Sequence, residues 1–133
     1  MHRKFRLVPE TLYVAQFIID KYMSLKKIQS KQLHLLGVTT LLISMKYEEI
    51  YPPDLRDLLH ISENKFTKQQ VTELEQEILQ TLDFKVTAPS HYRFLQRFWR
   101  LNYRFVDDEI FHMAQYILEI SLLDASFLRF LPS

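Results

Sequence analysis

Hydrophobic positions crowd most densely between Leu33 and Tyr47, LHLLGVTTLLISMKY. Leu33, Leu35, Leu36, Val38, Leu41, Leu42, Ile43, Met45 and Tyr47 leave no clear polar stripe. A helix apolar nearly all round is normally buried among other helices. Ser30 is placed to cap it. The charged cluster Lys46, Glu48 and Glu49 ends the apolar run, and Pro52 and Pro53 forbid further helix. The predicted central helix therefore runs from Ser30 to Tyr51, and its charged end is a natural contact site. Gly37, the only glycine, disfavours helix by up to ~1 kcal/mol against alanine, which points to close backbone packing.

Helical spacing recurs elsewhere. Pro9 suits the first turn of a helix reaching about Ser24, with Leu12, Ala15, Ile19, Tyr22 and Met23 on one face, joined by Phe17 and Ile18. Asp54 caps a short helix whose Leu55, Leu58 and Leu59 are buried. Thr67 and Gln70 form a capping box ahead of Val71, Leu74, Ile78, Leu79 and Leu82. Asp83 to Pro89 is irregular. Another helix starts at Ser90 with Tyr92, Phe94, Leu95, Phe98 and Trp99 apolar, and NYRFV turns the chain. Asp107, Asp108 and Glu109 suit the positive end of a helix dipole and open a helix to about Leu123, followed by a short FLRFL segment. No stretch alternates as a strand does. The fold class is all-α, with six or seven helices.

Composition narrows the function. One domain's length, 133 residues, with 47% hydrophobic and 14% aromatic content, supports a packed core. Seventeen basic and sixteen acidic residues give a net charge of +1, which makes no case for nucleic acid or an anionic membrane as partner. The absence of cysteine excludes disulfides, thiolate catalysis and Cys-ligated zinc, and a reducing compartment fits. The longest uncharged run, residues 32–45, is too short to span a bilayer. His2, Arg3, Lys4 and Arg6 read as a solvated arm.

Catalytic chemistry is hard to find. A single glycine excludes Gly-rich phosphate loops. Glu109 and His112 make one Glu-x-x-His, whereas a di-iron bundle needs two such units and further glutamates. Glu73, Glu75 and Glu77 read as ordinary surface, with Glu75 pointing away from the other two. No metal site or cofactor is expected, and an interaction protein is a better reading than an enzyme.

The segments IIDKYMS, KQLHLLGVTTLLISMKYEEIYPP and FTKQQVTELEQEILQTLDFKVTAPS, with the LPS ending, strongly resemble the cyclin box of A- and B-type mitotic cyclins. The resemblance runs from about Lys4 to Ser133. It implies two repeats of five helices, divided here as 1–88 and 89–133, with the Ser30–Tyr51 helix as the third and central helix of the first repeat. It implies a regulatory subunit that binds and activates a cyclin-dependent protein kinase, as a heterodimer rather than a homo-oligomer, in the nucleus and cytoplasm. The family's charged pair falls on Lys46 and Glu75, which in relatives hydrogen-bond to the kinase backbone just ahead of its C helix. An isoleucine of that C helix enters an apolar pocket matched here by Ile43, Tyr47, Leu79 and Val86, with Phe84 alongside.

Other positions depart from the pattern. The family's Met-Arg-Ala-Ile-Leu segment, which opens its first helix and builds most of a substrate-recruiting groove, has no counterpart after Met1. Leu33 and Ile61 match groove positions, but His34 stands for a glutamine and Ser30 for an arginine, so the groove is expected to be weak. The first repeat is thus read with its first helix largely missing, which would uncover one side of the central helix. The second is read as two helices and the start of a third. No destruction motif is read, since the family carries it in an N-terminal tail. Two other readings stay open: a transcription factor using the same fold on DNA or on the general transcription machinery, as in the factor IIB family, and a non-functional fragment.

Overall fold

The structure is a computed structural model and describes residues 2, 4–102, 104 and 107–130. Its helices are α1 (Pro9–Leu25), α2 (Leu33–Glu48), α3 (Leu55–Ile61), α4 (Lys68–Thr81), α5 (His91–Asn102) and α6 (Asp108–Ser121). Single 3₁₀ turns cover Ser30–Gln32 and Ala125–Arg129, and no strand occurs among the described residues. The chain divides into two compact units, Met1–Ala88 and Pro89–Ser133.

In the first unit α2 is the hub, with α1, α3 and α4 packed on it. Eight successive residues, Val38 to Met45, are buried, so more than two turns are enclosed on every side. The hydroxyls among them turn back to the helix's own carbonyls: Thr39 Oγ1 donates to Leu35 O at 2.9 Å and Ser44 Oγ to Leu41 O at 2.9 Å. A buried hydroxyl left without an acceptor would be destabilising. α2 is shorter than Ser30–Tyr51. At its start Ser30 does not cap it but enters the 3₁₀ turn, where Gln32 Oε1 accepts the Gln29 N–H at 3.2 Å. At its end Glu49 leaves the helix with extended backbone, three residues ahead of Pro52.

The expected uncovered side is not found between Val38 and Met45. Leu7 is buried in one core cluster with Leu41, Leu42, Met45, Leu58 and Val71, and Phe5 packs against it. The segment ahead of α1 is therefore more than a solvated arm. Lys4 and Arg6 stay exposed, while Arg6 adopts φ 52° and the Leu7 N–H bonds His2 O at 3.3 Å. Arg3 lies outside the described residues. Gly37 is also corrected: a Cβ added there would meet nothing within 4 Å, so close packing is not its role.

The buried stripe of α1 is Thr11, Val14, Ile18 and Tyr22, with Tyr13 and Ala15 also buried, while Met23 is exposed. The apolar face is thus rotated by part of a turn from the expected one. Asp54 occupies the N-cap position of α3 without bonding through its side chain. Leu58 there is fully buried. The box at α4 is as expected: Thr67 Oγ1 accepts the Gln70 N–H at 3.2 Å and Gln70 Oε1 accepts the Thr67 N–H at 2.9 Å. Val71, Ile78 and Leu82 form the buried side. Past α4, Asp83 and Phe84 take φ of 51° and 56°. This left-handed exit lets Leu79 O accept the Phe84 N–H at 2.9 Å.

In the second unit Ser90 Oγ accepts the Arg93 N–H at 3.1 Å, which starts α5. Trp99 meets Phe111 of α6 with ring centroids 5.2 Å apart. Tyr92 is buried, but Phe98 is 53% exposed and only partly serves the apolar face expected of it. α6 ends at Ser121, and Asp124 caps the final 3₁₀ turn through the Ser126 N–H at 2.8 Å. Tyr103, Phe105 and Val106 of the NYRFV turn and the LPS ending lie outside the described residues.

Candidate partner-docking site

Side chains three and four residues apart share a helix face. Ile43, Lys46 and Tyr47 therefore stand together on α2, and Glu75 and Leu79 on α4. The two helices pack together, which brings these faces to one seam. Lys46 Nζ lies 2.7 and 2.9 Å from the two carboxylate oxygens of Glu75. The lysine side chain is 53% exposed and the glutamate 14%, so the acid is held in place while the ammonium stays open to solvent. Lys46 also lies in the last turn of α2, where a cation suits the helix dipole.

The apolar candidates range from buried to exposed. Ile43 and Val86 belong to one core cluster with Ile78 and Leu82, and Leu79 packs against it, half-buried. Tyr47 and Phe84 are 53% and 68% exposed. Tyr47 follows Lys46 at the end of α2, and Phe84 lies in the left-handed exit after α4. The seam offers charged hydrogen-bonding groups beside an apolar surface, the make-up of a protein-docking site.

The remaining candidates lie at the other end of α2. Leu33 is 44% exposed, and the exposed His34 meets the edge of Phe66 at a ring separation of 5.1 Å. Thirteen residues of helix put Leu33 ~20 Å from Lys46. Ile61 is half-buried at the end of α3. Phe66 was not singled out from the sequence, because its role depends on a ring contact 32 positions away in the chain.

Three carboxylates need reassessment. Glu77, read as ordinary surface, accepts the Tyr22 hydroxyl at 2.9 Å and Lys26 Nζ at 3.1 Å. Those two hydrogen bonds, Lys26 first, hold its carboxyl below the usual range. Burial, with the bond to Glu77, pushes the Tyr22 phenol up to about 12. Glu75 is likewise not surface, being the mostly buried half of the pair with Lys46. Glu73 bonds only Gln69 of its own helix at 2.8 Å in the contacts described. Glu49, seen only as part of a charged cluster, accepts the Val8 N–H at 2.9 Å and the Thr11 hydroxyl at 2.6 Å. It caps α1 from outside that helix, where Val8 has no side chain to do so. No group of His, Cys, Asp and Glu able to hold a metal occurs among the described residues. In the Glu109-x-x-His112 unit, His112 Nδ1 is 2.6 Å from Asp108 O.

Comparison with known proteins places this geometry. The family model for the cyclin N-terminal domain matches residues 1–87, and that for the cyclin C-terminal domain matches residues 89–133. The chain belongs to the cyclin family. Cyclin-A1-4 of Oryza sativa subsp. japonica is 44% identical over 133 residues, which cover 98% of this chain and 37% of that protein. Cyclin-B1-1 of the same plant is 37% identical across 100% of this chain and 30% of its own length. The G2/mitotic-specific cyclin-B2 of Oryzias javanicus is 38% identical across 100% of this chain and 34% of its own length. The chain thus spans about a third of these cyclins. Its helices form the all-α cyclin-box fold, and its relatives are of both A and B type.

Proposed function

We propose that this cyclin chain is a regulatory subunit that binds a cyclin-dependent protein kinase through the α2–α4 seam and activates it by seating the kinase C helix. The observation that carries the reading is the Lys46–Glu75 pair, held at 2.7 Å where α2 packs on α4, with Ile43, Leu79 and Val86 in one apolar cluster of the same unit and Tyr47 and Phe84 exposed. Pairing does not exhaust either group. An ammonium has three donors and a carboxylate about four acceptor sites. Lys46 can therefore still donate to a kinase carbonyl and Glu75 still accept a kinase N–H, with their positions already fixed. The apolar residues alongside would receive an aliphatic side chain of the C helix.

The effect on the kinase is positional. A C helix held inward keeps its glutamate on the ATP-orienting lysine, a pair that phosphoryl transfer requires. The cyclin contributes preferential binding to that conformation and no catalytic group. The proposal implies work in the nucleus and cytoplasm.

The test uses purified chain and a cyclin-dependent kinase, with binding followed by calorimetry and activity by substrate phosphorylation. Lys46→Ala or Glu75→Ala should each weaken binding by ~2–5 kcal/mol, the usual loss when one desolvated charged contact is truncated. Wild-type binding and activation by the double variant would overturn the proposal.

A further inference from the structure

The last turn of α2 carries the docking groups, but core packing stops just short of it. Met45, one residue before Lys46, is fully buried. Lys46 and Tyr47 are exposed, and the helix ends at Glu48. The final carbonyls of a helix have no partner within it. A helix end with few buried contacts opens at small free-energy cost. The core therefore fixes α2 as far as Met45, and the turn that presents Lys46 needs another hold.

In the contacts described, two ties reach from this end of α2 to other elements. One is the Lys46–Glu75 pair, whose groups a partner must share. The other is Glu49, three residues beyond Lys46. Its N–H closes the helix on Met45 O at 3.0 Å. Its Oε1 accepts the Val8 N–H at 2.9 Å and the Thr11 hydroxyl at 2.6 Å. Thr11 is fully buried in α1, which packs on α2, so the carboxylate is anchored to the interior of the unit.

We infer that Glu49 is a positioning residue of the docking seam. By fastening the end of α2 to the start of α1, it keeps the turn of Lys46 and Tyr47 helical and in place for the partner. The inference rests on the kinase-docking reading of that seam and adds to it a residue that acts through α1. Untied, the turn interconverts between helical and opened forms, and only the helical one presents Lys46 beside Glu75. A partner selecting that form binds more weakly in proportion to the fraction lost. The tie requires an acceptor oxygen rather than a charge. One oxygen takes both bonds, and the amide oxygen of glutamine also has two lone pairs.

The experiment combines residue-resolved amide hydrogen exchange on the full chain with calorimetry against a cyclin-dependent kinase. It compares the wild type with Glu49→Ala, Glu49→Gln and Lys46→Ala. In Glu49→Ala the amides of Lys46, Tyr47 and Glu48 should lose protection well beyond those of Leu41 and Leu42. Kd should rise ~10-fold, as a turn formed about a tenth of the time would give. A merely structural role would raise exchange along the whole helix together and leave the affinity of folded chain unchanged. Glu49→Gln should keep both protection and affinity. Should Glu49→Ala fail to fold, Thr11→Val removes the shorter bond at a buried position that no partner reaches, and it should show the same local exchange and weaker binding. Unchanged affinity in the folded variant, protection lost evenly along α2, or a glutamine variant as weak as alanine would overturn the inference. Weakened binding by Lys46→Ala beside unchanged binding by Glu49→Ala overturns it alone. Wild-type binding by Lys46→Ala overturns the docking reading and this inference with it.

Discussion

Glu49 and Thr11 are 38 residues apart in the chain, yet the glutamate Oε1 accepts the threonine hydroxyl at 2.6 Å. The same oxygen takes the Val8 N–H at 2.9 Å, so one carboxylate satisfies two donors at the start of α1. Thr11 is fully buried, and its hydroxyl would be orphaned without Glu49. A hydrogen bond to a charged group contributes ~1.5–3 kcal/mol and an N-cap ~1 kcal/mol. Glu49→Ala is expected to destabilise the fold by about 2 kcal/mol in urea unfolding. Glu49→Gln, which keeps an acceptor oxygen, should lose clearly less. Equal losses in the two variants would show that the cap is not what holds α1 here.

Gly37 calls for the opposite change. It sits in α2 with no positive φ, and a Cβ would meet nothing within 4 Å. Alanine gains helix propensity and narrows the unfolded ensemble. Gly37→Ala should therefore raise stability by up to ~1 kcal/mol, read as a higher urea midpoint with an unchanged slope. A lower midpoint would mean that the space is filled in solution.

Those two residues also show what the sequence could and could not convey. The burial of α2 was legible because apolar residues surround the whole helix, and the α4 box because Thr67 and Gln70 are three residues apart. Chain-local signals of this kind also located most helices to within a few residues. The close packing inferred for Gly37 failed because composition cannot tell an empty neighbourhood from a crowded one. Leu7 was missed as core because it sits among basic residues, and a short segment has no period to read. Lys46 and Glu75 were singled out through a family likeness, since their charges alone looked solvated. Glu49 and Glu77 stayed hidden because their partners are more than 35 residues away.

Exchanging the charges of the docking seam separates folding from binding. The Lys46–Glu75 pair is partly solvated, and such pairs contribute at most ~1 kcal/mol to a fold. Lys46→Glu alone should cost a little stability through like-charge repulsion, and adding Glu75→Lys should restore it. Kinase binding should not return in the double variant, because a carbonyl and an N–H of the partner would each face the wrong kind of group. Restored stability with restored binding would show that only the attraction within the pair matters.

The Tyr22–Glu77–Lys26 cluster should set how the fold responds to pH at both extremes. Tyr22 has its phenol pushed from the ordinary 10.0 to about 12, chiefly by burial and then by its bond to Glu77. A raised pKa means that the folded state favours the proton, so this contribution is complete below pH 10 and is lost as pH rises from there towards about 12. Glu77 has the reverse sign. Lys26 and Tyr22 lower its pKa from 4.5, so its contribution is present above that value and disappears as pH falls through the lowered one. Both Glu77 and Lys26 are about half exposed, so the acid-side effect is small. The alkaline side is the sharper measurement. In a spectrophotometric titration the Tyr22 step, identified by its loss in Tyr22→Phe, should fall at about 12, and Glu77→Gln should bring it down. A Tyr22 step at the ordinary 10.0 would show that its phenol is not shielded in solution.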